Sequence, residues 1–341
     1  MKANPTLVSG MLKRLTCSVA LLITGIVGAQ TLRWDMPNEY GPKTVPGMAD
    51  VHFSELVKSA TAGKLEVVNQ FGGAINIRSK DMLDATSTGA LMLGHFPIQA
   101  ASGSNPLFLL SNLPAIAQTP EESIILQDIA RPHLEKVLAT FDAQILYMTF
   151  FPPVGVWSKQ PMTTLESYRG RKLRTNDAIS TEFFKKLGAN TMQISWTDLL
   201  PQLQTGAVDS VHTSTSGGIP GQLWEILPTY NDVGTSLAVN IAIVNSSALK
   251  KLDPATRSAL LNAGKQTETW ARKKMIDTIA EEKKTIVAGG GKILGLSNMT
   301  PPLIDAFNAA GGPLVEDWLK KTGAPGKEVL DGFARKANKK R

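Results

Sequence analysis

The stretch GRKLRTNDAISTEFFKKLGANTMQISWTDLLPQLQTGAVDSVHTS, residues 170–214, alternates between strand and helix patterns. It predicts strands over 171–175, 191–194 and 207–212, and helices over 179–187 and 198–205. Thr197 is expected to cap the second helix and Gly206 to end it. Such alternation is typical of a parallel sheet whose loops converge at the C-terminal ends of its strands. Because Arg174 and Thr213 stand near two such ends, the stretch predicts a ligand site there.

The first 29 residues have the pattern of a secretory signal peptide. Lys13 and Arg14 precede an apolar run over 15–27, which is too short to anchor stably in a bilayer. The run ends in Val-Gly-Ala at 27–29, small residues of the kind that a signal peptidase accepts. The only cysteine, Cys17, lies inside this segment. We therefore expect an exported mature chain that begins near Gln30 and contains no disulfide.

The charge balance does not favour nucleic-acid binding. The net charge is +7, and removal of Lys2, Lys13 and Arg14 with the signal peptide leaves 7 − 3 = +4. Basic residues interleaved with exposed aromatics, the usual mark of a nucleic-acid surface, do not occur. Part of the charge lies in a tail that we interpret as a frayed, solvated terminus: Arg335, Lys336, Lys339, Lys340 and Arg341.

The rest of the chain predicts two lobes joined by a long helix. Residues 32–94 read as strand, helix, strand, helix, strand, and Pro152-Pro153 marks either a crossing between lobes or an ordinary turn. The mostly apolar run 235–245 is long enough to pass through two neighbouring sheets. A helix capped by Asp253 runs to about residue 288, roughly 50 Å, and would span both lobes. Two further helices are expected over 299–312 and 314–322.

The residue sets that catalysis needs are absent from the sequence. The mature chain has no cysteine nucleophile and no G-x-S-x-G motif, and no histidine pair has metal-ligand spacing. We therefore predict no catalytic residue, no metal and no cofactor. His95 and His212 end predicted strands and could approach a cleft.

Binding is the chemistry that these residues favour. Arg174 lies in a mostly buried strand, and its planar guanidinium suits a bidentate carboxylate; the alternative is a salt bridge within the protein. Trp196 is either a stacking wall or part of the core. The hydroxyl run 213–216 suits an oxygen-rich solute, although such runs also occur in ordinary loops.

Several segments, in order and spacing, resemble the DctP family, the periplasmic solute-binding proteins of TRAP transporters. They are RWDMPNEY (33–40), AGKLEVVNQFGGAINIRSKDMLDATSTGAL (62–91), LESYRGRKLRTND (165–177), KKLGANTMQISWTDLLPQLQTGAVDS (185–210) and LDPATRSALLNAG (252–264). The resemblance implies an α/β, two-lobe Venus-flytrap fold in the periplasm. It implies a monomer that captures an organic acid and delivers it to a membrane permease. Lobe 1 would be 30–151 completed by about 240–279, and lobe 2 152–239 completed by about 280–341.

The resemblance also assigns candidate ligand-binding positions. Arg174 matches the family arginine that grips the ligand carboxylate, Trp196 the aromatic position before the LLPQLQTG helix, and Thr213 a polar position often occupied by asparagine. The full candidate set is Arg174, Trp196, Thr213, Ser214, Trp157, Glu39, Tyr40, Phe96, Asn176 and His212.

The strand FPPVGVWSK departs from some members of the family, which carry a second arginine near Val154. This departure argues against a dicarboxylate or a sialic acid as the ligand. The available aromatics favour a monocarboxylate with an apolar or aromatic body: Trp157, Trp196, Phe96 and Tyr40. Two alternative functions stay open: a ligand-presenting sensor subunit, and an exported lyase or isomerase of organic acids.

Overall fold

The computed structural model describes residues 31–338. The predicted signal peptide, residues 1–29, and the last three residues of the basic tail lie outside this range. The strands form three sheets: a two-stranded sheet, a three-stranded sheet and a six-stranded sheet.

The first two sheets are built mainly from the N-terminal half of the chain. Strands β1 (Leu32–Asn38) and β2 (Leu65–Phe71) pair in parallel. In the second sheet, β10 (Val239–Asn245) lies between β3 (Leu93–Pro97) and β4 (Ala143–Phe150) and is antiparallel to both. The helices of this region are α1 (Val45–Ala60), α2 (Met82–Ser87) and α3 (Pro120–Ala139). The central strand of the second sheet therefore comes from far along the chain.

The six-stranded sheet contains the stretch on which the sequence prediction was centred. Its strands are β5 (Val154–Ser158), β6 (Lys172–Thr175), β7 (Asn190–Gln193), β8 (Ser210–Ser214), β9 (Thr229–Asp232) and β11 (Lys292–Gly295). Their order is β11-β9-β5-β8-β6-β7, and β6 is parallel to both β7 and β8. The helices α4 (Ala178–Lys186), α5 (Trp196–Gln204) and α6 (Thr215–Gly218) connect them. The predicted parallel strand–helix alternation is confirmed.

Two of the chain's passages between the β4 sheet and the six-stranded sheet run side by side. The chain leaves β4 through residues 151–153 to reach β5, and it returns through residues 235–238 to reach β10. Backbone bonds tie the two passages together, from Phe151 N–H to Ala238 O and from Val154 N–H to Ser236 O, each 2.9 Å. The run 235–245 is accordingly a strand only from Val239 onwards. The lobe boundaries proposed from the sequence stay a prediction.

Helix α8 (Pro254–Ala288) has 35 residues, with the bounds that the sequence predicts. The short helix α7 (Ser246–Lys251) precedes it. Asp253 accepts hydrogen bonds from the first free amides of α8, as a capping residue does. At Gly264 the helix meets β4 so closely that an added Cβ would lie 2.6 Å from the carbonyl oxygen of Leu146. Farther on, Glu282 accepts hydrogen bonds of 2.6 Å from the hydroxyls of Thr215 and Ser216 in α6. The helix thus contacts elements of both larger sheets, as predicted.

The C-terminal region differs from the sequence prediction in two ways. Helix α9 (Pro301–Thr322) is continuous through Pro313, and it buries Leu303 before the proline and Trp318 after it. Helix α10 (Ala324–Lys336) was missed. It packs Val329, Leu330 and Phe333 into the core, and Arg335 and Lys336 belong to its last turn rather than to a frayed tail. The density of basic residues concealed this apolar face.

The close contact of α8 with β4 predicts opposite effects of one chemical change at two glycines. Gly264→Ala forces a methyl group against backbone and should destabilise the protein by about 1–3 kcal/mol. Gly103→Ala, in an open turn without a positive φ, meets no atom within 4 Å and should stabilise by about 0.4–1 kcal/mol, because alanine restricts the unfolded chain. Urea unfolding of both variants measures this. Equal effects at the two positions would contradict the described contact.

Candidate functional site

A cleft of about 690 Å³ lies between loops of the β1–β4 region and loops of the six-stranded sheet. Glu39 and Tyr40 follow the end of β1, and Arg174 and Asn176 lie at the end of β6. The volume falls in the range of about 300–1,000 Å³ that small-molecule sites usually have. The other lining residues are Arg78, Ser79, Lys80, Pro97, Ala100, Gln193, Ile194, Ser195, Trp196, Asp198 and Gln202.

Arg174 is a buried cation that forms no salt bridge among the described residues. Its side chain is held by main-chain carbonyls: Nε donates to the oxygen of Ile194 at 2.8 Å, and Nη1 to that of His212 at 3.4 Å. Desolvation lowers the pKa of Arg174, and the nearby Tyr40 and Glu39 oppose that shift. A buried charge without a counter-ion is costly. The guanidinium is thus positioned for an anion that the described part of the chain does not supply.

Aromatic rings form one wall beside this cation. Tyr40 lies between Phe151 and Trp196, with ring centroids 5.0 and 5.7 Å away, and the guanidinium carbon of Arg174 is 5.6 Å from the Trp196 ring. Burial raises the pKa of Tyr40 to about 12, so its phenol stays neutral and can donate a hydrogen bond. The wall therefore offers apolar surface and one neutral donor.

Glu39 is fixed from both sides of the cleft. The hydroxyl of Ser79 donates to its Oε2, and that of Thr197 donates to Oε1 at 3.2 Å. Thr197 also accepts from Arg78 at 2.6 Å, and Arg78 bonds Asp198 at 2.9 Å. The prediction that Thr197 caps α5 is wrong: the helix begins at Trp196, and the hydroxyl of Thr197 reaches across the cleft instead.

A buried network supports the turn that carries Glu39 and Tyr40. Asn38 accepts from the Tyr40 amide at 2.9 Å and donates to Asp50 at 2.7 Å. Asp50 in turn bonds His95 and the hydroxyl of Tyr147. His95 is fully buried in this network, so it supports the turn from below and does not line the cleft.

Two small cavities continue inwards from the cleft. The first, which we call the inner cavity, has a volume of about 20 Å³ and shares Tyr40, Arg174 and Asn176 with the cleft. Its remaining lining is Asn112, Phe151, Val154, His212, Thr213, Ser214 and Ala238. The second cavity, about 10 Å³, lies beside it and also borders His212. The inner cavity is large enough for about one water molecule or one ligand oxygen.

His212 is neutral in the folded protein. Burial, and secondarily the charge of Arg174, lowers its pKa to about 3. Its Nε2 lies 2.7 Å from Oγ1 of Thr235. Arg174 is therefore the one cation among the described residues that line the inner cavity.

The structure brings most of the sequence-predicted residues together. Glu39, Tyr40, Arg174, Asn176 and Trp196 line the cleft, and His212, Thr213 and Ser214 line the inner cavity.

Two of the predicted residues do not reach the ligand space. Trp157 is fully buried, packs on Tyr230 with centroids 4.9 Å apart, and abuts Gly218. Phe96 is fully buried in the core beside β10. Both lie on strands that are covered on two faces, so an aromatic there fills the core rather than the cleft.

Three cleft residues could not be identified from the sequence, because their roles come from long-range contacts. Arg78, Ser79 and Asp198 line the cleft, but the bond from Arg78 to Thr197 joins residues 119 positions apart. No local pattern marks such a pair. The one signal in the sequence for Arg78 was that it lies in the segment 62–91, which resembles the DctP family.

Over residues 31–338, no helix is both long and apolar enough to cross a membrane. The same range contains no group of three or more His, Cys, Asp or Glu side chains placed to hold a metal ion.

Comparison with known proteins identifies the architecture. The sequence model of the family described as "Bacterial extracellular solute-binding protein, family 7" (DctP) matches residues 38–322. A curated relative, the ectoine-binding periplasmic protein TeaA of Halomonas elongata, is 21% identical over 199 residues, 58% of each chain. The alignment thus spans little more than half of that relative's length.

Solved structures match over a larger share. DctP7 of Bordetella pertussis, an extracytoplasmic solute receptor that binds pyroglutamic acid, superposes with a TM-score of 0.85 at 26% identity, covering 89% of this chain and 99% of its own. A marine metagenome TRAP solute-binding protein specific for pyroglutamate gives 0.85 at 27%, covering 90% and 99%. The predicted two-lobe α/β fold is confirmed, and both the family and the fold are those of solute-binding receptors rather than enzymes. With the match over 38–322, these findings show that the chain belongs to bacterial extracellular solute-binding protein family 7, the DctP family of TRAP solute-binding proteins.

Proposed function

We propose that this protein is the periplasmic receptor of a TRAP transporter, which captures a small monocarboxylate and delivers it to the membrane permease. The mature receptor is a monomer, and its signal peptide is cleaved near Ala29. The observation that carries the proposal is Arg174, a buried guanidinium with no carboxylate partner among the described residues. A ligand carboxylate supplies the missing counter-charge. Asn176 and the neutral Tyr40 hydroxyl border the same space and can donate to its oxygens.

The inner cavity supports a single carboxylate. Val154 lines it at the position near which some family members carry a second arginine. A second ligand carboxylate beside Arg174 would therefore face valine and the neutral His212, and it would remain unpaired.

The size and walls of the cleft support a compact ligand of the pyroglutamate type. The two structures at 26% and 27% identity are receptors of pyroglutamate. Pyroglutamate is a flat five-membered ring with one carboxylate, and Tyr40 and Trp196 offer aromatic surface next to Arg174. A ring of that kind would stack on this wall while its carboxylate lies on the guanidinium.

The cross-cleft contacts support a closed form of the receptor that would carry its ligand to the permease. Thr197 and Asp198 bond Glu39 and Arg78, which lie on the other side of the ligand space. A ligand enclosed by these contacts is shielded from water, and opening requires that they break.

Isothermal titration calorimetry with a panel of acids tests the ligand class. Pyroglutamate and other compact monocarboxylates should bind, and dicarboxylates such as succinate and malate should bind at least about tenfold more weakly because one charge stays unpaired. Tight binding of only dicarboxylates or a sialic acid would refute the monocarboxylate assignment.

Arg174→Gln should abolish tight capture and leave the fold intact. Loss of a buried charge partner costs about 2–5 kcal/mol, so affinity for any acid of the panel should fall by well over tenfold. Gln202→Ala, on the rim of the same cleft, is the control and should change affinity much less. Circular dichroism confirms folding of both variants. Normal affinity in a folded Arg174→Gln protein would place the carboxylate elsewhere.

The neutrality of His212 predicts a pH dependence of stability. Its folded pKa of about 3 lies below the unfolded value of about 6.5, so the unfolded chain takes up a proton that the folded protein refuses. The contribution of His212 to the free energy of unfolding is constant above about pH 6.5. Proton uptake by the unfolded chain lowers that free energy by about 2 kcal/mol as the pH falls from 7 to 5. Denaturant unfolding at both pH values should show a smaller loss in His212→Gln than in wild type. Equal losses would show that His212 titrates normally.

A further inference from the structure

His212 lines the inner cavity, and its ring atom Nδ1 has no hydrogen-bond partner among the described residues. The side chain is 2% exposed and borders both the inner cavity and the smaller cavity beside it. A buried polar atom left unpaired destabilises the protein, because its contact with water is lost without replacement. Such an atom at the edge of a ligand cleft points to a partner that arrives with the ligand.

The bonds around Thr235 determine which nitrogen of His212 carries the proton. Oγ1 of Thr235 lies 3.1 Å from the carbonyl oxygen of Val154, which can only accept, so the hydroxyl donates its single hydrogen there. The same Oγ1 lies 2.7 Å from Nε2 of His212. Nε2 must therefore donate to Thr235, and in the neutral ring Nδ1 is an acceptor.

His212 also adjoins the position that the carboxylate would occupy. Nη1 of Arg174 contacts the main-chain oxygen of His212 at 3.4 Å, and both residues line the inner cavity. Because both residues line this one small cavity, a group attached next to the carboxylate carbon would face the same space as His212 and could reach its imidazole directly or through the one water molecule that the inner cavity can hold.

We propose that the ligand carries an N–H or O–H donor next to its carboxylate and that Nδ1 of His212 recognises this donor. The inference rests on the proposed function, because it presumes that Arg174 holds the carboxylate. It defines the ligand class as lactam acids and 2-hydroxy acids, and it excludes simple aliphatic acids and 2-oxo acids. A site that holds an acceptor for a substrate N–H or O–H discriminates strongly against an analogue that lacks the group.

A matched pair of acids tests the donor requirement by calorimetry. In 3-oxocyclopentane-1-carboxylate a CH₂ group replaces the ring N–H of pyroglutamate, and shape and charge are kept. Wild type should bind pyroglutamate at least about tenfold more tightly. A second pair, 2-hydroxyisovalerate and isovalerate, extends the comparison to the O–H donor and should show the same preference. Equal binding within both pairs would overturn the proposal.

Two substitutions assign the preference to Nδ1. In His212→Gln a side-chain N–H can still reach Thr235, but no acceptor remains at the position of Nδ1; in His212→Asn the amide oxygen takes that position. We expect His212→Gln to lose about tenfold in affinity for pyroglutamate, with binding of the CH₂ analogue unchanged, and His212→Asn to keep the preference. Equal weakening of both acids in His212→Gln would show a merely structural role.

The failure of this inference is distinguishable from that of the proposed function. If wild type binds none of the four acids, the monocarboxylate assignment fails and the inference fails with it. If wild type binds all four equally and Arg174→Gln abolishes that binding, carboxylate capture stands and the role of His212 is refuted. As a direct readout, the ¹⁵N resonance of His212 Nδ1 should shift towards a hydrogen-bonded value when pyroglutamate is added.

Discussion

The cost of burying one positive charge governs the design of this cleft. Arg174 is held away from water by two main-chain carbonyls and an aromatic ring, and no acidic side chain of the described residues pairs with it. Such a group is expensive in the empty protein and becomes favourable when an anion arrives. The ion pair of Arg174 therefore forms only when an acidic ligand is present, and this makes the site selective for acids.

The neighbours of Arg174 are arranged so that none of them competes with a ligand carboxylate for its charge. Desolvation keeps the Tyr40 phenol protonated and the His212 imidazole neutral, so neither changes charge near neutral pH. The two acids near the guanidinium are engaged by other groups: Glu39 by the hydroxyls of Ser79 and Thr197, and Asp177 by Ser180 and Asn112. The buried bonds of Asn38 and Asp50 fix the turn that carries Glu39 and Tyr40. Orientation therefore comes from groups that never touch the ligand.

Features encoded by local signals could be predicted from the sequence. Helix α8 begins after its cap at Asp253 and ends at the residue where its pattern was expected to stop, and Arg174 was identified because a buried strand carried a charge. Features set by distant partners could not. Thr197 has the residue type of a helix cap, but its hydroxyl bonds Glu39 and Arg78 instead. Trp157 and Phe96 were expected in the ligand site, but their strands are covered on both faces, so the two side chains are buried in the core. Helix α10 was missed because charge masked its apolar face.

The position of β10 has a consequence for how the chain is made. This strand lies between β3 and β4, yet about ninety residues of sequence separate it from β4. The first half of the protein therefore cannot close its sheet until residues 239–245 have been synthesised, and pairing over such long separations is slow. Folding of this region is therefore delayed until the late central strand has been made.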